Sequence, residues 1–162
     1  MFEKIIVSTD NDEIANIAVK HGAEVPFKRP ENLSDDYTGT HEVIGHAVKW
    51  LIDFKIKIDY VCSIYPTAPL IQEKDLVKGF ELIKSGDWEN VFAATKFSYP
   101  IFRSFYFDKK RGLKMFFPEH YHSRSQDLSD TMHDAGQFYW ATPEVWMNPS
   151  NGYSEKSTVV LL

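Results

Sequence analysis

The sequence predicts an α/β fold with a mostly parallel sheet, and three observations lead to that prediction. Short β-branched apolar runs alternate with helical patterns through the first 95 residues, as in strands joined by crossover helices. Residues 60–64 form a short, mostly apolar run with a β-branched bias, as in a strand buried on both faces, and Pro66 and Pro69 prevent the strand from continuing. Ligands of α/β sheets bind at the carboxyl ends of strands, so a site is expected there, although a proline-rich turn that binds nothing fits these residues equally well.

The individual elements follow from the spacing of apolar residues along the chain. Thr9 or Asp10 would cap the first helix and Gly22 would end it, because glycine readily adopts the left-handed conformation. The third helix would begin at Gln72 or Glu73 and end at Gly86. Strands are predicted at residues 4–8, 60–64, 91–95, 135–141 and 158–162, and the other helices at residues 12–20, 40–54 and 143–147.

An aromatic hairpin is predicted after the third strand. Residues 109–112 read Lys-Lys-Arg-Gly, a turn sequence between candidate strands at 101–107 and 113–117. Exposed aromatic side chains on such an arm often mark a subunit interface. The sequence therefore predicts one domain over residues 1–162, with an inserted arm at about 97–134.

Composition and charge exclude several classes of protein. The 162 residues include 18 Lys and Arg against 23 Asp and Glu, a formal net charge of −5, which argues against a general nucleic-acid binder. No apolar run approaches membrane-spanning length and no secretory signal opens the sequence, so a cytoplasmic protein without a membrane partner is expected. The one cysteine, Cys62, excludes an intrachain disulfide and is expected to be inert packing.

Two polar segments are candidates for anion binding. Lys28 and Arg29 place two cations on a loop, and a guanidinium suits phosphate or carboxylate, although alone they favour a solvated charge pair. Residues 34–40 read as a capping sequence before a helix, and Gly39 beside Thr40 could also present backbone N–H groups to an anion. Capping and anion binding are compatible there.

A second polar group lies in the inserted segment. Residues 123–127 gather Arg124, Gln126 and hydroxyl groups, which suit a polyhydroxylated acid, and the alternative is a disordered surface loop. His120, His122 and His133 match no standard zinc spacing. The Gly-rich dinucleotide fingerprint and the P-loop lysine motif are absent from the sequence.

Several motifs, in order along the chain, resemble the sugar-acid (acylneuraminate-type) cytidylyltransferases, which make CMP-activated nonulosonic acids. Tyr65 ahead of Pro66 and the segments after residue 117 most resemble the pseudaminic acid branch of that family. The matching segments are residues 5–10, 12–15, 25–30, 33–36 with Thr40, 66–70, 118–120, 124–127 and 133–140.

The resemblance implies a fold, a reaction and a set of site residues. The fold would be a Rossmann-like nucleotidyltransferase sheet, and the reaction would join CTP and pseudaminic acid into the CMP-sugar, releasing pyrophosphate, with Mg²⁺ as a clamp. The hairpin would be a homodimerisation arm. Nucleotide contacts would come from Arg29, Thr40, Pro66, Thr67 and Ala68, and sugar contacts from Tyr65, Arg103, Arg124, Gln126 and Tyr139.

The sequence also departs from the family pattern. The resemblance implies a first strand with a triphosphate-binding loop before the segment that starts here at Met1, and an Asp-x-Asp metal motif after the last strand, which ends here at Leu162. A chain truncated at both ends, with the Mg²⁺ ligands beyond it and with little activity alone, is therefore expected. The alternatives are a non-catalytic fragment that docks on a full-length subunit, and the same reaction on a sialic acid.

Overall fold

Six strands and four helices form the computed structural model, which describes residues 1–148 and 153–162. All four predicted helices are present, with bounds within two residues of the expected ones. The strands are β1 (Val61–Ile64), β2 (Asn90–Lys96), β3 (Phe105–Asp108), β4 (Gly112–Met115), β5 (Met132–Ala141) and β6 (Ser157–Leu161). The helices are α1 (Asp12–Lys20), α2 (Thr40–Asp53), α3 (Glu73–Lys84) and α4 (Pro143–Met147).

The central sheet is mixed, which corrects the prediction of a mostly parallel sheet. Its strand order is β1-β5-β2-β6. Strand β5 is antiparallel to both β1 and β2, and among the described strands only β2 and β6 are parallel neighbours. The α/β class is confirmed, but alternation of strands and helices does not reveal that a late strand enters between two early ones.

Strand β1 lies at an edge of this sheet, whereas its apolar run predicted a strand buried on both faces. Its one neighbour in the described sheet is β5, in the register Val61 to Ala141 and Ile64 to Phe138. Ser63 is buried, while Ile64 is 43% exposed. The prediction from the apolar run, that both faces of β1 are buried, is therefore wrong.

The strand predicted at residues 4–8 is reduced to one isolated bridge. Ile6 pairs with Glu24 in a parallel bridge, and the backbone bonds run from Val7 N to Glu24 O (2.9 Å) and from Glu24 N to Ile5 O (2.7 Å). A further backbone bond, from Arg29 N to Thr9 O at 2.9 Å, ties the segment just before α1 to the loop that carries Arg29.

The core lies on both faces of β5, whose side chains alternate between two helical layers. Phe138 and Trp140 face one apolar cluster with Leu76 and Ile83 of α3. Ala141 joins Val48, Val145 and Trp146 of α2 and α4 in a second cluster, against which Tyr139 packs. Both helical layers therefore pack on the same strand. This packing fixes the position of residues 134–139, which form part of the candidate site described below.

The hairpin forms a separate two-stranded sheet. Strands β3 and β4 pair antiparallel from Phe105–Met115 to Asp108–Gly112, and Gly112 has a positive φ of 77° at the predicted turn. Residues 101–103, expected to be strand, instead form a short 3-10 helix. Across the described ranges 1–148 and 153–162, the helices all fall short of the length and apolarity that crossing a membrane requires.

Candidate functional site

The carboxyl end of β1 brings three of the predicted site residues together. Tyr65 N donates to Gln137 O of β5 at 2.9 Å, and Ala68 N donates to Tyr65 O at 3.0 Å, which closes the proline-rich turn. The Tyr65 hydroxyl donates to Thr40 Oγ1 at 3.1 Å, and its ring centroid lies 5.1 Å from that of Tyr139. Pro66, Thr67 and Ala68 follow directly in this turn.

A carboxylate that sequence reasoning missed anchors the neighbouring tyrosines. Asp134 Oδ2 accepts from the Tyr139 hydroxyl at 2.7 Å and from the Tyr153 hydroxyl at 3.3 Å. Asp134 Oδ1 accepts from Gly136 N at 2.7 Å, and Gly136 has a positive φ of 62°. We call Asp134, Tyr139 and Tyr153 the tyrosine–carboxylate cluster.

The cluster forms where β5 departs from regular pairing with β2. Phe92 pairs with Tyr139 and Ala94 pairs with Asp134, so a bulge in β5 separates two nearly adjacent partners on β2. The bulge brings the Asp134 carboxylate back toward Tyr139. Burial, followed by the hydrogen bond to Asp134, raises the pKa of Tyr139 well above its ordinary value, so this phenol stays protonated at neutral pH.

The amino end of α2 is close to the same turn, through Thr40. Gly39 is the N-cap residue, and within the described part of the chain no side chain caps this helix end. Within the predicted capping sequence, Asp35 bonds locally instead: its Oδ1 accepts from Thr38 Oγ1 (2.8 Å) and from the backbone N–H of Tyr37 (2.9 Å). The Thr38 hydroxyl bond is the largest of several that hold the pKa of Asp35 below its ordinary value. The first N–H groups of α2 therefore remain open to an anion.

Arg29 lies on a separate polar cleft of about 560 Å³. Its Nε donates to Ser34 Oγ at 3.1 Å and its Nη2 contacts Asp10 Oδ1 at 3.3 Å, so the guanidinium is oriented by two loops. Lys28 pairs instead with Asp12 at 2.8 Å on an exposed surface. The cleft is lined by Asp10, Lys28, Arg29, Glu31, Ser34 and Asp35.

The other predicted sugar-binding residues lie in the segment between β2 and β5. Gln126 lines a cavity of about 210 Å³, whose wall includes Tyr99 hydrogen-bonded to Ser125 at 3.0 Å. Arg124 forms a bidentate pair with Asp127 (2.6 and 3.1 Å). Arg103 ends the 3-10 helix before β3. The described contacts thus join Thr40, Tyr65 and Tyr139, while Arg29, Arg103, Arg124 and Gln126 occupy other places.

The histidines of the inserted segment make local contacts. His120 Nδ1 lies 3.1 Å from Ser123 Oγ, and His133 Nδ1 lies 2.8 Å from Asp134 O. Within residues 1–148 and 153–162, no group of three or more His, Cys, Asp or Glu residues is arranged to hold a metal ion.

Comparison with known proteins identifies the family. The sequence profile of the family described as "Cytidylyltransferase" matches residues 1–136. The chain belongs to the cytidylyltransferase family. It is therefore, by family, a nucleotidyltransferase, as the resemblance implied.

Individual relatives show how far the similarity extends. A pseudaminic acid cytidylyltransferase of Campylobacter jejuni is 39% identical over 162 residues, all of this chain and 70% of that protein. An N-acylneuraminate cytidylyltransferase A of Danio rerio is 30% identical over 96 residues, 59% of this chain and 21% of that protein. A solved CMP:2-keto-3-deoxy-manno-octonic acid synthetase, in complex with CTP, aligns with a TM-score of 0.62 at 11% identity, covering 98% of this chain and 73% of that one. That last likeness concerns the fold alone, and its coverage indicates that this cytidylyltransferase shares most of the architecture.

Proposed function

We propose that this cytidylyltransferase transfers CMP from CTP to a nonulosonic sugar acid, with pseudaminic acid as the favoured acceptor. A sugar hydroxyl would attack the α-phosphorus of CTP, and the bond to the β-phosphate would break to release pyrophosphate. The observation that carries the proposal is 39% identity across the whole chain to the Campylobacter jejuni protein named for pseudaminic acid. The neuraminate-named relative matches over a shorter stretch, which favours pseudaminic acid over sialic acid.

The nucleotide side of the site would be built from Arg29 and the amino end of α2. An Arg29 guanidinium fixed by Asp10 and Ser34 can offer its remaining N–H groups to phosphate oxygens. The open backbone N–H groups at Thr40 provide a second position for negative charge. Pro66, Thr67 and Ala68 would lie along the cytidine, on a turn whose backbone is stiffened by proline.

The sugar side would be built from Tyr65 and Tyr139, with Arg103, Arg124 and Gln126 contributed by the inserted segment. Arg124 is already paired with Asp127, so a sugar carboxylate would have to compete with that partner. The role of the protein would be mainly to align the two substrates, because phosphoryl transfer needs position and charge neutralisation more than covalent chemistry.

We propose Mg²⁺ as the metal of the reaction on the strength of the family resemblance. The residues that the structure describes do not fit it as a protein site, since they contain no cluster of carboxylates or histidines arranged to ligate it. Because CTP is a cytoplasmic nucleotide, we also propose a cytoplasmic location and expect no nucleic-acid or membrane partner.

The exposed hairpin supports a homodimer and also a second candidate function. Phe105, Phe107 and Leu113 are all more than 60% exposed on the arm, an apolar surface suited to another subunit. If the arm docks this chain on a full-length relative, the chain could bind substrates without turning them over. Both candidates share the site described above and differ in catalysis.

Calorimetric titration with CTP and with pseudaminic acid, followed by a pyrophosphate-release assay with Mg²⁺, tests these proposals. We expect saturable binding of both substrates. Turnover would support the enzyme, and binding of both substrates without turnover would support the docking candidate. Binding of neither CTP nor any nonulosonic acid would overturn both proposals, and tighter binding of a sialic acid would overturn the choice of acceptor.

A further inference from the structure

The hydrogen-bond directions in the tyrosine–carboxylate cluster are determined by its chemistry. An ionised carboxylate has no hydrogen to donate, so both phenols must donate to Asp134. Tyr139 does so at 2.7 Å and Tyr153 at 3.3 Å. Each phenol has one hydrogen, and in both residues that hydrogen is committed to Asp134. The two phenol oxygens can therefore only accept a hydrogen bond from anything else.

The adjoining tyrosine extends the same polarity. The Tyr65 hydroxyl donates its hydrogen to Thr40 Oγ1 at 3.1 Å, and its ring lies against that of Tyr139. Tyr139 and Tyr65 are partly exposed and Tyr153 is 72% exposed, so these residues lie at the surface, where a ligand can approach them. The phenol oxygens of Tyr65, Tyr139 and Tyr153 thus form a row of acceptors, and the negatively charged Asp134 lies behind the last two.

We propose that Asp134 is a positioning residue that makes this surface a subsite for hydrogen-bond donors, namely the hydroxyl and acylamide N–H groups of the sugar acid. This inference rests on the proposed function and deepens it. An anion placed against the Tyr139 and Tyr153 oxygens would meet hydrogen-bond acceptors and the Asp134 charge, which is unfavourable. The sugar carboxylate and the phosphates of CTP must then bind elsewhere, at guanidinium groups or helix N–H groups.

A purely structural role for Asp134 is the competing explanation, because its other oxygen caps Gly136 N in the β5 bulge at 2.7 Å. The two roles differ in what they affect. If Asp134 acts only on the structure, its replacement would loosen the bulge, and the binding of every ligand and the stability of the fold would fall together. Loss of the donor subsite would affect only ligand groups that donate hydrogen bonds.

The test uses Asp134→Asn, which keeps the shape but adds a donor group, and Tyr139→Phe, which removes the acceptor oxygen. Asp53→Asn is the control, since Asp53 is an exposed aspartate at the carboxyl end of α2 that pairs with Lys49 and lies outside the proposed site. Calorimetry would measure the Kd of CTP, of pseudaminic acid and of analogues in which single sugar hydroxyls are replaced by fluorine. Fluorine keeps the size of the group but cannot donate. Thermal unfolding would be recorded for each variant.

We expect both cluster variants to bind pseudaminic acid about tenfold more weakly, with the Kd of CTP within twofold of wild type. At least one fluorinated analogue should bind wild type about tenfold more weakly than the parent sugar, and this difference should vanish in Asp134→Asn. The control should behave as wild type.

Four outcomes would overturn the inference. One is an unchanged Kd for the sugar acid in both variants. Another is a fluorine penalty that persists in Asp134→Asn, or a loss shared equally by CTP, which indicates a structural role. The last is wild-type protein that binds CTP but not the sugar acid. Failure to bind CTP as well would instead show that the proposed function itself is wrong.

Discussion

Arg29 owes its orientation to two neighbours, and this gives a prediction at the scale of one residue. Its planar group reaches Ser34 and Asp10 at the same time, which a lysine ammonium cannot reproduce with the same geometry. We expect Arg29→Lys to raise the Kd of CTP about tenfold and to leave the Kd of the sugar acid unchanged. Calorimetry checks both values.

Arg111→Lys is the control for this prediction, because Arg111 is an exposed arginine in the turn between β3 and β4. It should bind CTP as wild type does. Equal weakening by both substitutions would mean that general charge, rather than the held geometry of Arg29, attracts the nucleotide.

Cys62 provides a second residue-scale prediction. Burial raises the pKa of its thiol well above its ordinary value, and the thiolate is the reactive form. We expect the native protein at pH 8 to react with a thiol-specific disulfide reagent at least about tenfold more slowly than free cysteine. Unfolding in guanidinium should release one reactive thiol per chain, which serves as the internal control. Rapid labelling of the native protein would contradict the inferred environment.

The sequence predicted the site residues that belong to a recognisable motif. It did not predict those that come together only through folding. Tyr65, Thr40 and Tyr139 were predicted as site residues and lie together in the structure. Asp134 and Tyr153 were not singled out. They meet across 19 residues, and the only local signal was the nearby Gly136, whose positive φ forms the bulge.

At the scale of elements, helices were predictable because their periodicity is a local property. Helix α2 places Val48 in the core, and α3 does the same with Leu76 and Ile83, as the apolar spacing predicted. Strand partners are not local, so the sequence predicted the existence of β1 and β5 but not their antiparallel pairing. The cap of α1 was also predicted one or two residues away from its observed position. Asn11, rather than Thr9 or Asp10, accepts from Glu13 N and Ile14 N.

The packing of α3 on β5 gives the element-scale prediction. Gly79 allows close approach, since an added Cβ would lie 2.8 Å from Trp140 Cδ1 and 3.0 Å from Phe138 Cε2. Alanine would normally favour a helix by about 1 kcal/mol, but overpacking costs about 1–3 kcal/mol, and contacts this short with two buried rings place the cost here at about 2–3 kcal/mol. We therefore expect Gly79→Ala to lower the free energy of unfolding by about 1–2 kcal/mol, as measured by urea titration.

Gly39→Ala is the matched control for Gly79→Ala, because no other atom lies within 4 Å of its added Cβ and its φ is −70°. Its free energy of unfolding should fall by less than about 1 kcal/mol. Gly79→Ala with unchanged or greater stability would mean that α3 lies farther from Trp140 than the structure places it.

At the scale of the whole molecule, we propose one domain over residues 1–162 and a dimer through the hairpin arm. Phe107 is 70% exposed on that arm. We expect Phe107→Asp to convert the dimer to a monomer in analytical ultracentrifugation, because a charge in an apolar interface is costly. Tyr37→Asp, which changes a 95% exposed aromatic outside the arm, should remain dimeric. A wild-type monomer at micromolar concentration would refute the dimer.

The strand order β1-β5-β2-β6 also has a kinetic consequence. In the described sheet no strand pairs with its neighbour in sequence, and Val61 must find Ala141 before β1 can form. Chain closure over such separations precedes any gain in contact energy, so high contact order slows folding. The nascent chain cannot assemble this sheet until β5 has been synthesised, and until then the edges of β1 and β2 are open to capture by chaperones or by other chains.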